Sequence, residues 1–295
     1  MKKRLNKKSA FGYILILVGL VLLLSPLISR SYHDLRAMAD MKKFEEIQKK
    51  KSKEEVAEEE KKAASYNEII KNSDLTVQDP FTTDDYKNKY QMFTKTNTPF
   101  AYLSIPKIDK HLPIYLDATK EHISRGVAQV AGTAIPIGGK GTRCALAGHR
   151  GWWGDTMFLY VDELESGDYI YIERAEKVMR YVVTDKQVIS PYDWDKLLPR
   201  GDMDMITLLT CSPFLPPRPD RLLVNAIRDE STPAKEFKLP SGEYVADNSQ
   251  SQKTDRLVKI TRLITLIGAC LGTIIFVMVF VNFIRRILIT FKGKY

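Results

Sequence analysis

A thiol, an imidazole and two guanidinium groups each stand where an apolar run of this chain ends or begins. The segment Ile206-Thr207-Leu208-Leu209-Thr210-Cys211-Ser212-Pro213-Phe214 opens as a β-branched, apolar run, which reads as a buried strand. It stops at Cys211, and Ser212-Pro213 turns the chain at once. A cysteine at the mouth of a strand rests on a rigid scaffold and still faces solvent, the placement a nucleophile needs. Upstream, Ala145-Leu146-Ala147-Gly148-His149-Arg150-Gly151 ends a second apolar run in a histidine, and Arg218 and Arg221 precede a third, 222–227. The chemistry such a set can do is acyl transfer. A thiol attacks a peptide carbonyl as thiolate. His149 can stabilise that thiolate as imidazolium and then protonate the departing amine. An arginine supplies permanent charge and donors to the tetrahedral oxyanion or to the substrate backbone. The product of the first step is a thioacyl enzyme, which water resolves as a protease would and a positioned amine resolves as a transpeptidase would. Taken singly, a free cysteine is more often a small buried hydrophobe and a lone histidine a satisfied polar residue. The repeated arrangement of strand then Cys, strand then His, Arg then strand is what points to a Cys–His–Arg enzyme.

The elements that must hold these residues are mostly strands. Candidate strands lie at 102–108, 112–116, 143–147, 169–173, 179–189, 205–211 and 222–228, separated by Gly, Pro and Asp clusters. That spacing predicts a small barrel or sandwich. Short helical turns are expected near 124–130, 157–164 and 193–198. Ahead of the strands, 32–72 is dominated by Lys, Glu and Ala with sparse, helically spaced apolar positions (Leu35, Met38, Phe44, Ile47), the pattern of an exposed helix or stalk. Residues 77–98 break into turn and aromatic residues, and 240–255 read as a polar linker.

The chain has a net charge of +9, a balance that could signal nucleic-acid binding. Its distribution excludes that reading. Lys2, Lys3, Arg4, Lys7 and Lys8 precede an uncharged run at 11–28, Arg285, Arg286, Lys292 and Lys294 follow another at 263–284, and these nine residues account for the whole excess. Each run is long enough to span a bilayer. A cleaved signal peptide shares the first pattern, but no small-x-small cleavage site follows it, which favours an uncleaved anchor. The positive-inside rule then puts both termini in the cytoplasm and 32–258 outside. Gly268 and Gly272 form a G-x-x-x-G in the second span, a candidate helix-packing face. Of three cysteines, Cys270 lies in that span, Cys144 sits mid-strand as a structural residue, and Cys211 remains for chemistry. A Cys144–Cys211 disulfide would cap the nucleophile and is disfavoured.

These residues also carry a family resemblance. Thr207-Leu208-Leu209-Thr210-Cys211 resembles the Thr-Leu-x-Thr-Cys motif of sortases, the cell-surface transpeptidases of Gram-positive bacteria. Leu146-Ala147-Gly148-His149-Arg150-Gly151 resembles their histidine segment, Arg221-Leu222-Leu223-Val224 their arginine strand, and Tyr102–Ile108 with Leu112-Pro113-Ile114-Tyr115 their opening strands. Asp79-Pro80-Phe81 resembles the lid of class C, the pilus-assembling sortases, and a second, C-terminal span is also familiar from that class. The segment 214–220 departs from the usual Tyr-Gly-x-Asn-Thr-His pattern, being one residue longer and rich in proline.

The resemblance implies a mainly β fold: a closed barrel with short helices, an N-terminal helical and lid segment, and a transmembrane helix at each end. The corresponding partition is a basic tail at 1–10, a span at 11–29, stalk and lid at 30–98, the catalytic barrel at 99–232, a linker at 233–259, a span at 260–284 and a basic tail at 285–295. It implies Cys211, His149 and Arg221 as the catalytic set, with Arg218 as the alternative arginine, and Thr210 and Arg218 as substrate contacts. Asp79 would pair with Arg221, and Phe81 would lie over Cys211 and His149. An exposed ion pair of this kind contributes roughly 0–1 kcal/mol, so such a lid should open readily. No cofactor or metal is assigned. The implied reaction cleaves an LPXTG-like sorting signal after Thr and passes the acyl group to a pilin lysine. The alternatives are an anchoring sortase that transfers surface proteins to peptidoglycan, and a non-catalytic pilus-assembly scaffold.

Overall fold

The computed structural model describes residues 6–74, 77–83, 86–88, 92–93, 97–151, 155–175, 177–230 and 256–292. Eight strands close a barrel: β1 (Ala101–Ile105), β2 (Lys110–Tyr115), β3 (Val127–Gln129), β4 (Thr142–Ala147), β5 (Tyr169–Arg174), β6 (Lys177–Ile189), β7 (Asp204–Ser212) and β8 (Asp220–Arg228). Their order around the barrel is β1-β2-β3-β4-β7-β8-β6-β5. The β4–β7 pair is parallel and the β7–β8 pair antiparallel, so three strands distant in sequence lie side by side.

Strand alternation sorts the side chains into two cores. Leu103, Ile105, Ile114, Cys144, Leu146, Ile206, Leu208, Leu222 and Val224 fill the barrel interior. The alternate residues Ala145, Ala147, Leu209 and Leu223 face outward and form a second apolar cluster with Ile189 and Leu197. Burying one such Leu or Ile contributes about 1.5–3 kcal/mol, so both faces of β4, β7 and β8 are held in register. Polar residues reinforce the outer face. The Arg143 guanidinium donates to Thr207 Oγ1 (2.9 Å), Asn225 Oδ1 (2.6 Å) and the Leu198 carbonyl (2.9 Å). Asn225 donates in turn to Asp185 (2.7 Å), which pairs with Arg200.

Two details differ from the sequence expectations. The helical turn expected at 124–130 is instead a helix, α3 (Lys120–Arg125), capped by Thr119 and followed by the short strand β3. Three residues are too few to show an alternation, so β3 was invisible in the sequence. The first candidate strand stops at Ile105 because Pro106 opens a 3₁₀ turn, Pro106–Ile108. The turns near 157–164 and 193–198 are 3₁₀ segments at Val161–Glu163 and Trp194–Leu197.

Outside the barrel, α1 (Lys7–Lys50) contains Pro26, and α2 (Lys53–Lys71) begins at a Ser52–Glu55 capping box. Asn67 on α2 exchanges hydrogen bonds with the Ile135 backbone (3.1 and 2.7 Å), and Glu59 pairs with Arg174 (2.8 Å). These contacts dock α2 against the barrel. Residues 7–33 of α1 and 263–290 of the last helix, α4 (Arg256–Lys292), are long and apolar enough to cross a membrane. The two terminal segments make one unit and the barrel another. Within the terminal unit, Gly272 lies so close to Leu24 that any Cβ there would collide with it, and a Cβ at Gly268 would stand 3.8 Å from Leu27. Asn282 donates to Tyr13 Oη (3.1 Å), whose ring stacks on Phe283. The G-x-x-x-G face is therefore an intramolecular helix contact. The linker assigned to 233–259 lies almost wholly outside the described residues, as do Lys2, Lys3, Arg4 and Lys294.

Candidate active site

The site forms where β4, β7 and β8 end together. Cys211 is directly opposite Arg221 in the β7–β8 register. On the other side of β7, Ala147 of β4 is opposite Leu209, and the Gly148 amide continues the ladder to the Leu209 carbonyl (3.0 Å). His149 follows immediately, alongside the end of β7, and its carbonyl is held by the Phe158 amide (3.1 Å). Gly148 is glycine for a packing reason: a Cβ there would stand 2.8 Å from the Phe158 ring and 2.9 Å from Val127. Any larger residue would displace the backbone that carries His149. Cys211 belongs to the outward-facing set with Leu209, so thiol, imidazole and guanidinium are brought to one region of the outer face.

Asp79 and Phe81 reach this region from the segment ahead of the barrel. Asp79 takes a two-pronged ion pair from Arg221, with Nε to Oδ1 at 3.2 Å and Nη2 to Oδ2. The remaining terminal nitrogen of Arg221 donates to the carbonyls of Asp220 (2.8 Å), Pro219 (3.2 Å) and Arg218 (3.4 Å). Phe81 stands 5.8 Å from the His149 ring, centroid to centroid, and 5.2 Å beneath the Arg221 guanidinium. Asp79 also accepts from the Phe81 amide (3.1 Å) and Thr82 Oγ1 (3.1 Å), which knots the tripeptide into a compact turn. Its carboxylate thus caps its own turn and binds the arginine.

One expectation about this pair is overturned. The Arg221 and Asp79 side chains are only 3% and 8% exposed, so the pair is buried rather than superficial. Removing one partner by substitution would leave the other charge buried at a cost of about 3–5 kcal/mol, so the figure for an exposed bridge does not apply.

Burial under Phe81 and its neighbours governs the protonation states. It pushes the His149 imidazole down to about 4, with the Arg218 charge acting in the same sense. It pushes the Cys211 thiol up; Arg221, Arg218 and Arg150 pull it down and Asp79 pushes it further up. With this segment in place, the thiol and imidazole are both neutral at pH 7.

Other assigned residues fall elsewhere. Thr210, wholly buried, lies on the interior side of β7 opposite Leu222, the face away from Cys211, and its hydroxyl has no hydrogen-bond partner among the described residues. It is not brought to the thiol. The Arg218 guanidinium is turned onto the Phe214 and Arg150 carbonyls, whereas Arg221 sits in the register position beside Cys211. Cys144 is buried in the interior core, on the opposite face from Cys211, and both thiols are free. Sequence reasoning passed over Arg150, which is 3% exposed, pairs with Asp162 and donates to the Cys211 carbonyl (3.4 Å). Its position directly after His149 was the available signal.

Comparison with known proteins places the fold. A family model described as the sortase domain matches residues 103–229. Sortase D of Bacillus subtilis is 27% identical over 133 residues, which are 45% of this chain and 64% of that relative, so the match spans just under two thirds of its length. Among solved structures, Sortase C-3 of Streptococcus pneumoniae superposes with a TM-score of 0.61 at 31% identity, over 65% of this chain and 90% of that one. A pilus-related Sortase C of Group B Streptococcus gives 0.57 at 30% identity, over 63% and 95%. The chain belongs to the sortase family, and the solved structures it resembles include Sortase C enzymes.

Proposed function

We propose that this protein is a membrane-held cysteine transpeptidase that cleaves an LPXTG-like sorting signal and transfers the acyl group to a pilin lysine. The single observation that carries the reading is the convergence of Cys211, His149 and Arg221 on adjacent strand ends beneath Asp79 and Phe81. Cys211 attacks the carbonyl of the signal's threonine, His149 protonates the departing amine, and a thioester on Cys211 results. Arg221 donates to the tetrahedral oxyanion or the substrate backbone. The incoming lysine amine then breaks the thioester, and Cys211 recovers as the thiol.

Asp79 and Phe81 act as a lid. While they are seated, the arginine is occupied and the thiol and imidazole are desolvated in their neutral forms. Lid departure returns both groups to water, restores their ordinary ranges and frees the guanidinium for substrate. The neighbours titled as pilus-related sortases favour pilin polymerisation over anchoring. The basic tails favour cytoplasmic termini, with the barrel on the outer side of the membrane.

The test is to express Cys211→Ala in a strain in which this is the sortase serving the pilins. Loss of isopeptide-linked polymers, with membrane-extracted protein still folded, is expected; persistent polymers overturn the enzymatic reading. Loss of surface proteins attached to peptidoglycan, with polymers intact, would instead make the enzyme an anchoring sortase.

A further inference from the structure

Beyond the thiol, the imidazole and Arg221, two more arginines meet at the site, and both engage backbone carbonyls around it. Arg150 follows His149 and Arg218 lies in the loop between β7 and β8. The Arg150 guanidinium pairs with Asp162, donates to the Cys211 carbonyl (3.4 Å) and lies 5.5 Å over the Phe214 ring. Its own carbonyl accepts from Arg218 Nη1 at 2.8 Å. Arg218 directs its two other bonded nitrogens, Nε and Nη2, onto the Phe214 carbonyl at 3.1 and 2.8 Å. The contacts form a chain from Asp162 through Arg150 and Arg218 to Phe214, linking the segment that carries His149 to the loop that follows Cys211.

We propose that Arg150 and Arg218 are positioning residues that clamp the Pro213–Pro219 loop to the His149 segment and so hold one wall of the peptide groove. The inference rests on the reading of Cys211 as the nucleophile. That loop needs an external fastening. Apart from Arg218, it carries no charged side chain, and it is rich in proline, which offers no amide to a neighbour. Phe214 and Leu215 are 41% and 69% exposed, so the barrel core does not hold them. A planar guanidinium suits the task because one rigid fork bonds two carbonyls on different segments, which an ammonium on a flexible stem does poorly. The Arg150 side chain is buried, and its Nε has no acceptor among the described residues, a cost set against its ion pair with Asp162 and its bond to the Cys211 carbonyl. What the pair secures is the position of Phe214 and Leu215, an apolar edge next to the thiol. An extended apolar peptide laid along β7 would meet it.

The experiment uses the full-length protein in detergent micelles, with the lid opened by Asp79→Ala and Phe81→Ala so that gating does not mask groove effects. Steady-state cleavage of a fluorogenic LPXTG-type peptide is measured alongside hydrogen–deuterium exchange of the 206–222 segment. Arg218→Ala should raise KM about tenfold, change kcat less than threefold and speed exchange at Phe214 and Leu215. Arg218→Lys should remain defective, since it keeps the charge and loses the fork. An unchanged KM, unchanged exchange, or full rescue by lysine would overturn the clamp. Failure of the catalytic reading has its own signature, cleavage retained by Cys211→Ala. The clamp is then judged on exchange alone, faster exchange supporting it and unchanged exchange refuting it.

Discussion

The same three strands carry two arginine-centred clusters, four residues apart along β7 and β8, and the two are built to opposite ends. At the middle of the strands, Arg143 is 2% exposed and bonds Thr207, Asn225 and the Leu198 carbonyl, all supplied by the barrel itself. At the strand ends, Arg221 is equally buried, but its carboxylate partner comes from Asp79, a residue ahead of the barrel with 142 positions between them. The first cluster cannot lose a partner without separating strands. The second depends on a partner that belongs to one short turn outside the barrel. Burial alone therefore does not mark a structural arginine: what matters is whether the partner can leave. Electrostatics follows the same division. Burial and the nearby Arg200 charge push Arg143 down to about 10, still protonated at any working pH. Burial at the strand ends instead pushes the His149 imidazole down and the Cys211 thiol up, favouring the neutral form of each.

The sharpest way to break this comparison is to remove the reacting groups. His149→Ala should cut peptide cleavage by roughly 10²–10⁴-fold, the scale of a lost general acid–base, and Arg221→Lys by roughly 10²-fold through loss of the planar fork. Single-turnover cleavage of a sorting peptide checks both, and wild-type rates for either variant would remove it from the site.

Next in size is the contrast between the two arginines. Arg143→Met takes a donor from Thr207 Oγ1 and the Leu198 carbonyl and should destabilise the barrel by about 1–3 kcal/mol, read as a lower urea midpoint. Arg221→Met should abolish turnover as well as lower the midpoint, since it leaves Asp79 without its buried partner. If Arg143→Met proved inactive at full stability, the division between the clusters would fail.

The smallest effect concerns pH. A histidine held near 4 in the closed state takes up a proton on lid opening, because its ordinary value is about 6.5. The lid's stability is therefore fully present above pH 6.5 and declines as pH falls toward 4. The thiol works in the other direction: its raised value penalises the closed state as pH rises through the ordinary thiol range near 9. Reaction of Cys211 with a small neutral thiol reagent, divided by the rate for the open-lid double variant at the same pH, should be lowest between pH 6.5 and 9 and rise toward one at pH 5. A flat ratio would show that His149 does not sense the lid.

Much of the fold was legible because β4, β7 and β8 each carry apolar runs that stop at a polar residue. Cys211 and His149 were legible for the same reason, each ending such a run. What the sequence concealed depended on three-dimensional closure. Strand β3 is three residues long and exists through pairing with β2 and β4. Thr210 looked like a neighbour of the thiol, yet alternation turns it to the opposite face. The burial of the Arg221–Asp79 pair comes with Phe81 and the strand ends packing around it. Arg150 was hidden because its partner, the Cys211 carbonyl near the end of β7, is brought next to it from 61 positions away.

The most direct measurement of the central claim is acyl capture on the full-length protein. An LPXTG-type peptide is incubated without an acceptor amine, the reaction is quenched in acid, and the modified residue is mapped by mass spectrometry. The account predicts a hydroxylamine-sensitive adduct on Cys211, scarce in wild type and at least several-fold more abundant once Asp79→Ala and Phe81→Ala open the lid. An adduct on another residue, or none on Cys211 in the open-lid variant, would contradict it.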